Sequence, residues 1–202
     1  FWKSKDVKYK GIPKLEKRVK ANNDLIEMFI KLGTPNKQIF VAGHSCGGWV
    51  TMMLLSKNPY KIAGGISTHH ACYGKLSQRY KVKKVGVDEA LVKFEKKKPV
   101  AAYFRKTQIK AIREAKNLPV LIFTHPKDPF DGLLSEWVED IPGVERIVIS
   151  EDFKINDKLC KRIGINSGKR WEEPIKNGHL MAFADCFQFY NPKILEFIKS
   201  KI

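Results

Sequence analysis

Ser45 lies in a segment that can turn a serine hydroxyl into a nucleophile. Residues 43–47 read Gly-His-Ser-Cys-Gly and match the pattern G-x-S-x-G. The apolar residues 39–42 before them suit a short buried strand, and residues 48–57 suit a buried helix. A sharp turn from strand to helix exposes the serine hydroxyl at the end of a sheet. We therefore predict that Ser45 has a strained backbone and stands at the carboxyl end of this strand.

The neighbours of Ser45 have predicted roles of their own. Positions 43 and 47 are expected to need glycine, because other parts of the backbone approach Gly43 and Gly47 closely. The N–H of Cys46, at the start of the helix, can point at a negative charge that develops on a carbonyl oxygen. We expect the side chain of Cys46 to be a small packing residue.

An aspartate and a histidine later in the chain can pass a proton to and from Ser45. Asp128 follows the apolar residues 119–124, in a loop where a carboxylate can hold an imidazole and stabilise its charged form. Asp131, in the same loop, is the alternative acid. His179 lies on a loop near the C-terminus, and such a loop lets an imidazole reach a serine hydroxyl.

The remaining histidines have weaker claims to a functional role. His69 and His70 follow a predicted strand, and ligands bind at the carboxyl ends of strands in parallel sheets, so we expect one of them to line a substrate pocket. His125 follows another strand and is a further candidate for the pocket. His69, His70 and Cys72 have no second pair of ligands at the spacing of a zinc site, so we predict no metal and no cofactor.

The alternation of predicted strands and helices indicates an α/β fold, a doubly wound, mostly parallel sheet flanked by helices. The predicted strands after the first cover residues 62–67, 119–124 and 144–149. The predicted helices cover residues 13–32, 48–57, 100–117, 132–140 and 192–202. Residues 73–99 look irregular, with a short helix at 87–94. Residues 151–178 are rich in turn signals, with one helical turn around Leu159.

Size and charge narrow the class of protein. The chain has 202 residues, 43% of them hydrophobic, which suits one soluble domain. The formal net charge is +17, but 31 of the 38 basic residues are lysines spread over almost every segment. We therefore predict no specific nucleic-acid partner, although polyanions should bind without specificity at low salt. No apolar stretch reaches about 18 residues, so we predict no membrane span.

Four cysteines are too few for a disulfide scaffold. Cys160 and Cys186 flank the segment that holds His179. They can form a disulfide if the protein is exported, or they can remain two thiols, and the sequence leaves both alternatives open.

Residues 43–48 and their flanks resemble the alpha/beta-hydrolase superfamily, above all its dienelactone-hydrolase-like and prolyl-oligopeptidase-like branch. That family orders its catalytic residues serine, acid, histidine along the chain, as do Ser45, Asp128 and His179. The segment His-Pro-Lys-Asp-Pro at residues 125–129 stands where the family often has Gly-x-x-Asp-Pro. The Gly178–His179 pair is similar to the loop near the C-terminus that carries the catalytic histidine in that family.

The resemblance implies a serine hydrolase that cleaves an ester, lactone or related acyl bond of a small molecule through an acyl-enzyme. A serine peptidase of the prolyl-oligopeptidase type is the second alternative. A hydrolase-like binding protein without catalysis is the third. A polyanion-binding protein is the fourth, and it depends only on the net charge.

The resemblance covers residues 13–202 of a single domain at 1–202, in which residues 73–118 form a cap-like insertion. The family has several strands before the nucleophile strand, and a loop between them supplies a second oxyanion donor. We find neither before Gln38, and the chain opens with Phe1 rather than Met. We therefore expect an N-terminally truncated domain, weakly active or inactive, with the nucleophile strand at the edge of a four-stranded sheet.

Overall fold

A four-stranded parallel sheet forms the centre of the fold. The computed structural model describes residues 14–57, 61–149, 152–155 and 157–202. The strands lie in the order β1 (Phe40–His44), β2 (Gly64–Thr68), β3 (Val120–Thr124) and β4 (Val144–Val148). All neighbouring pairs are parallel, and among the described strands β1 is at one edge. These strands correspond to the four predicted strands.

The described residues contain seven α-helices that surround or adjoin this sheet: α1 (Lys14–Lys31), α2 (Cys46–Lys57), α3 (Leu76–Arg79), α4 (Val82–Val85), α5 (Val87–Lys97), α6 (Pro99–Arg113) and α7 (Asn191–Lys201). The predicted start of α1 at Pro13 lies outside the described residues. Within the described part of the chain, every helix is too short or too polar to cross a lipid bilayer.

Helices cover both faces of the sheet, which confirms the predicted fold class. Every residue of β3 is buried, as expected for a strand packed on both sides. Ile122 belongs to an apolar cluster with Trp49 of α2, whereas Phe123 belongs to a second cluster with Phe197 of α7. Neighbouring residues of β3 thus face opposite helical layers, which is the arrangement of a doubly wound sheet.

Residues 73–86 are more regular than predicted, because they contain two short helices, α3 and α4. The short helix predicted at 87–94 is confirmed as α5, and the helix predicted at 100–117 is confirmed as α6. Helices α3 to α5 have an apolar cluster of their own, formed by Leu76, Tyr80, Val82, Ala90, Phe94 and Leu134. Leu134 lies in a 3₁₀-helix, Gly132–Val138, where the sequence predicts a short amphipathic helix.

The predicted helical turn around Leu159 is wrong. Leu159 lies in β6 (Lys158–Leu159), which pairs with β5 (Lys154–Ile155) in an antiparallel hairpin. A second hairpin joins β7 (Lys161–Asn166) to β8 (Lys169–Pro174). Its turn, Ser167–Gly168, has φ values of 50° and 74°. A two-residue turn with both φ angles positive matches the twist of paired antiparallel strands, so local backbone geometry favours the hairpin.

All four cysteines are paired. Cys160 and Cys186 form a disulfide with their Cα atoms 5.3 Å apart, which is the first of the two alternatives left open by the sequence. Cys46 forms a disulfide with Cys72 at a Cα separation of 4.5 Å. The interpretation of Cys46 as an unpaired packing residue is therefore wrong, because the end of β2 brings Cys72 beside the start of α2.

Candidate active site

Ser45 is the only residue between β1 and α2, and hydrogen bonds hold its backbone in a strained conformation. Its φ angle is 56°, in the left-handed region that non-glycine residues rarely adopt. Its N–H donates to the carbonyl of Thr68 at 3.0 Å, and its carbonyl accepts from Ala71 at 3.1 Å and Trp49 at 3.2 Å. The structure therefore has the predicted strained turn.

Close packing at this turn requires glycine at positions 43 and 48, whereas the prediction named Gly43 and Gly47. A Cβ on Gly43 would lie 2.6 Å from the N of Gly48. A Cβ on Gly48 would lie 2.5 Å from Ser67 Oγ. A Cβ on Gly47 would meet no atom of the described residues within 4 Å. The close approach expected at Gly47 is thus found at Gly48.

The structure brings Ser45, His179 and Asp128 into one hydrogen-bonded row. His179 Nε2 lies 2.9 Å from Ser45 Oγ, and His179 Nδ1 lies 2.8 Å from Asp128 Oδ2. A carboxylate only accepts hydrogen bonds, so Nδ1 carries the proton and Nε2 is left to accept from the serine hydroxyl. This is the orientation that a base needs to take a proton from Ser45.

Asp128, and not the alternative Asp131, contacts the imidazole. Asp128 is 3% exposed, and its second oxygen, Oδ1, accepts from the N–H of Phe130 at 2.7 Å. Asp131 is also buried but faces Arg105, whose Nη2 is 3.9 Å from Asp131 Oδ2. Burial raises the pKa of Asp131 to about 6, although the Arg105 guanidinium acts in the opposite direction.

The loop that holds His179 is attached to the loop that holds Asp128. The side chain of Asn177 accepts from the N–H of His179 at 2.9 Å, and the N–H of Gly178 donates to the carbonyl of Lys127 at 3.3 Å. A Cβ on Gly178 would lie 2.6 Å from the ring of His125. Glycine before the histidine therefore lets the two loops approach closely enough for the imidazole to reach Asp128.

Aromatic rings hold the His179 ring in place. Phe130 stacks on it with a centroid separation of 4.1 Å and an interplanar angle of 29°. His44 lies on another side at 4.7 Å and contacts Phe183, also at 4.7 Å. Burial, with a smaller contribution from His179, lowers the pKa of His44 to about 4. His44 is therefore neutral at pH 7. Phe130 and Phe183 follow no motif, and sequence reasoning missed both.

The histidines predicted to line a pocket are buried in the interior instead. His69 is 2% exposed and lies next to the acid, with its Nδ1 3.8 Å from Asp128 Oδ2. His70 is fully buried, between Trp49 and Trp137. His125 is also buried, and its Nδ1 accepts from the N–H of Lys127. His69 and His70 follow the end of β2 and His125 follows the end of β3, and all three side chains are buried in the protein.

Burial also keeps two of these residues, His69 and His70, uncharged. It holds the pKa of His69 well below its usual value. Burial, together with the positive charges of Arg105 and Arg146, lowers the pKa of His70 to about 3. The described residues contain no group of three or more His, Cys, Asp or Glu side chains that could hold a metal ion.

The N–H of Cys46 is the first of α2. N–H groups in the first turn of a helix have no carbonyl partner within the helix, and the helix dipole adds positive potential there. Cys46 follows Ser45 directly, so an N–H free of an intrahelical partner comes immediately after the serine in the chain.

Comparisons with known proteins give matches in structure alone. No protein-family model and no curated protein matches the sequence. MGS-MChE2, an alpha/beta hydrolase from a sediment metagenome of the Mar Chica lagoon in Morocco, is 12% identical with a TM-score of 0.53, over 93% of this chain and 71% of its own. A carboxylesterase of the thaumarchaeon Nitrososphaera gargenis is 13% identical with a TM-score of 0.52, over 93% of this chain and 74% of its own.

A SOBER1 variant from Arabidopsis thaliana is also similar, at 18% identity and a TM-score of 0.42 over 67% of this chain. This chain spans 54% of the length of that protein. At such low identity, similarity in structure shows the fold alone. The reaction must be inferred from the residues of the site. With its parallel sheet, its two helical layers and the two neighbours whose TM-scores exceed 0.5, the chain has the alpha/beta-hydrolase fold.

Proposed function

We propose that this protein is a serine hydrolase that cleaves an ester, lactone or related acyl bond of a small molecule. The observation that carries the proposal is the row from Ser45 Oγ through His179 to Asp128, with successive separations of 2.9 and 2.8 Å. The imidazole of His179 links the other two residues, and its Nδ1 proton points at the buried carboxylate of Asp128. The carboxylesterase among the structural neighbours supports an ester as the substrate bond.

The geometry supports a two-step acyl transfer. His179 Nε2 takes the hydroxyl proton as Ser45 Oγ attacks the carbonyl carbon, and the charged imidazole is stabilised by Asp128. The N–H of Cys46 donates to the oxygen that becomes negative. The bond to the leaving alcohol breaks as His179 returns the proton, which leaves an acyl group on Ser45. Water, activated by the same imidazole, then hydrolyses the acyl-enzyme.

Residues 73–118 are proposed to act as the cap that shapes the substrate site. The N–H groups of Ser77 and Gln78, in α3, donate to the carbonyls of Phe130 and Pro129 at 2.7 and 2.9 Å. This segment is therefore bonded directly to the acid loop, where a cap can influence access to Ser45. The G-x-S-x-G turn and the Asp-Pro step at residues 128–129 support the dienelactone-hydrolase-like branch as the finer assignment.

Labelling with a fluorophosphonate, which reacts with activated serines, tests the proposal. We expect one adduct per chain on Ser45, found by intact mass and peptide mapping. Ser45→Ala should abolish labelling, and His179→Ala should slow it by about 10²-fold or more, because general-base catalysis contributes that much. Ser56→Ala is the matched control, since Ser56 is in α2, which follows Ser45 directly, and its hydroxyl donates to the carbonyl of Met53, away from Ser45.

The Ser56→Ala variant should be labelled at the rate of the parent protein. Circular dichroism would establish that each variant is folded. A folded parent protein that takes up no probe, or an adduct that survives in Ser45→Ala, would overturn the proposed function.

A further inference from the structure

A cavity lies between α5, α6 and the 3₁₀-helix Gly132–Val138. Its volume is about 580 Å³, which is in the range of small-molecule sites. Ser45, Asp128 and His179 do not line it. Its walls are mainly apolar, and all three elements contribute to them: Leu91 and Phe94 from α5, Ala102 and Ile109 from α6, and Leu133 and Trp137 from the 3₁₀-helix.

The cavity adjoins the apolar cluster of helices α3 to α5, which holds its walls in place. Phe94 and Leu134 line the cavity and are buried members of that cluster. Leu91, Ala102 and Leu133 also line the cavity, and they pack against the cluster. The walls are therefore part of the packed interior of this region, rather than a groove between independent surface side chains.

Arg105 is the one buried charge among the described residues that line the cavity. It is 5% exposed. The other charged residues of the lining are all exposed: Asp88, Glu95, Lys106 and Glu136. Water screens exposed charges far more than buried ones, so among the lining charges the Arg105 guanidinium acts most strongly inside the cavity.

The guanidinium of Arg105 makes fewer hydrogen bonds than it can. Its Nη2 donates to the carbonyl of Leu134 at 3.2 Å, and its Nε has no hydrogen-bond partner among the described residues. Its ion-pair partner is Asp131, but Nη2 and Asp131 Oδ2 are 3.9 Å apart, which is too far for a hydrogen bond. A guanidinium has five N–H donors, and burying them without acceptors costs free energy. Asp131 thus offsets the charge without bonding the N–H groups.

Trp137 adds a second unpaired donor to the same lining. Its indole Nε1 is buried and has no hydrogen-bond partner among the described residues. Its ring lies against Trp49 and His70, at centroid separations of 5.6 and 5.8 Å. An indole N–H can only donate, and folded proteins leave few buried donors without an acceptor. Two buried donors in one lining therefore suit a ligand that accepts hydrogen bonds.

We propose that this cavity binds a small carboxylate with an aliphatic body. The carboxylate is matched to Arg105, because a guanidinium can donate two parallel hydrogen bonds to the two carboxylate oxygens. The aliphatic body is matched to the apolar walls, where each buried methylene strengthens binding about fourfold. The site is separate from the proposed acyl chemistry and does not depend on it.

Isothermal titration calorimetry with octanoate tests this site on the purified protein at about pH 7. We expect saturable binding of one octanoate per chain. 1-Octanol has the same number of carbons and no charge, so it should bind about tenfold more weakly, because it loses the charge-assisted hydrogen bonds. Hexanoate keeps the carboxylate and lacks two methylenes, so it should bind about 15-fold more weakly.

Two variants locate the ligand. Arg105→Met should weaken octanoate binding about tenfold or more and change 1-octanol binding by less than about twofold, since it removes the charge and keeps an apolar side chain. Ala102→Leu should weaken the binding of both ligands about tenfold, because the larger side chain fills space that the aliphatic body needs. Ala102→Leu leaves Arg105 and Asp131 in place, so it tests the site even if Arg105→Met does not fold.

Lys110→Met is the matched control, because it removes the same charge from the same helix outside the lining of the cavity. It should change octanoate binding by less than about twofold, since an exposed charge is screened. Circular dichroism would establish that each variant is folded.

Equal affinity of the parent protein for octanoate and 1-octanol would overturn the proposal, as would octanoate binding that Ala102→Leu leaves unchanged. An equal loss in Lys110→Met and Arg105→Met would show attraction to the overall positive charge and would also overturn it. So would the absence of saturable octanoate binding by the folded parent protein. Because the titration measures binding alone, its result is independent of whether Ser45 reacts.

Discussion

Asp128 and Asp131 are both buried aspartates of the same loop, and they differ in what they contact. Asp128 holds His179, whereas Asp131 faces the guanidinium of Arg105. Neither carboxylate oxygen of Asp131 has a hydrogen-bond partner among the described residues. The sequence cannot separate the two residues, because their distance from the imidazole is decided by the path of the loop.

Asp128→Asn should lower kcat toward an activated ester by about 10³- to 10⁴-fold, because an amide can donate to Nδ1 and so favours the wrong tautomer of His179. Asp131→Asn is the matched control and should lower kcat by less than about tenfold, since it touches no member of the row. Steady-state kinetics on both purified variants would measure the difference. An equal loss in the two variants would contradict the assignment of Asp128.

The residues of the candidate row were accessible to sequence reasoning because each lies in a short local pattern. Ser45 has its glycines, Asp128 has a proline after a buried strand, and His179 has the preceding Gly178. No local pattern marks Phe130, which stacks on His179, or predicts that His69 is buried. Those contacts depend on how distant segments pack, which residue types and spacing do not encode.

At the level of elements, α2 is the helix that positions the proposed nucleophile, and its residues from Gly48 to Leu55 are buried. Gly48 lies against β2, whereas Gly47 faces open space in the described structure. The two adjacent glycines therefore offer a matched pair for testing how tightly this helix packs on the sheet.

Gly48→Ala should lower the free energy of unfolding by about 1–3 kcal/mol, because its Cβ would overlap Ser67 Oγ in a filled core. Gly47→Ala should leave stability unchanged or raise it by up to about 1 kcal/mol, since alanine favours a helix more than glycine does. Urea unfolding followed by circular dichroism would measure both. A Gly48→Ala protein as stable as the parent would show that α2 can move away from β2 at little cost.

The disulfide between Cys160 and Cys186 ties the start of β7 to the 3₁₀-helix Asp185–Tyr190. It closes a loop between residues 26 apart in sequence. Cys160→Ala/Cys186→Ala should therefore lower the free energy of unfolding by about 3 kcal/mol, mainly by releasing the unfolded chain. Urea unfolding without reductant is the measurement.

Cys160→Ala alone should lose as much stability as the double variant, because either change removes the bond. Alkylation of the unreduced parent protein should add no mass. A parent protein that is alkylated at Cys160 and Cys186 would contradict the pairing.

Elements with strong apolar periodicity were predicted well, and the β5–β8 region was not. β2 and β3 are short runs next to helices and are mostly buried, so their burial and their strand type coincide. In β7, by contrast, Ile163 and Ile165 are 41% and 79% exposed, so the hydrophobic pattern carries little information about pairing. The Ser167–Gly168 turn was the available signal, and its two positive φ angles suit a hairpin rather than a helix.

At the scale of the whole molecule, the interior contains several histidines that must stay uncharged. His44 and His70 have pKa values lowered to about 4 and 3 from an ordinary 6.5, and burial holds the pKa of His69 well below 6.5. Between these values and 6.5, the unfolded chain binds protons that the folded chain does not. The stability that these three neutral histidines contribute is therefore fully present above pH 6.5 and is lost as the pH falls.

Asp131 has the opposite effect on the pH dependence of stability. Its pKa is raised to about 6 from 3.8, so the stability that it contributes is lost as the pH rises through 6. Three histidines outweigh one aspartate, so the free energy of unfolding should fall between pH 6.5 and 5.0. His70→Phe should reduce that slope by up to about 1.4 kcal/mol per pH unit, which is the effect of one proton. Urea unfolding at several pH values would measure the slope, and an unchanged slope in His70→Phe would contradict a neutral His70.

The hydrogen bond between His179 and Ser45 joins residues 134 apart in sequence. Contacts between such distant residues form late in folding, because closing a long loop costs chain entropy before the contact can stabilise the fold. Every element from β1 to the loop before α7 must be in place before the imidazole meets the hydroxyl. Ser45 can therefore become reactive only when folding is complete. After dilution from denaturant, the rate at which its reactivity returns measures the rate of the last folding step.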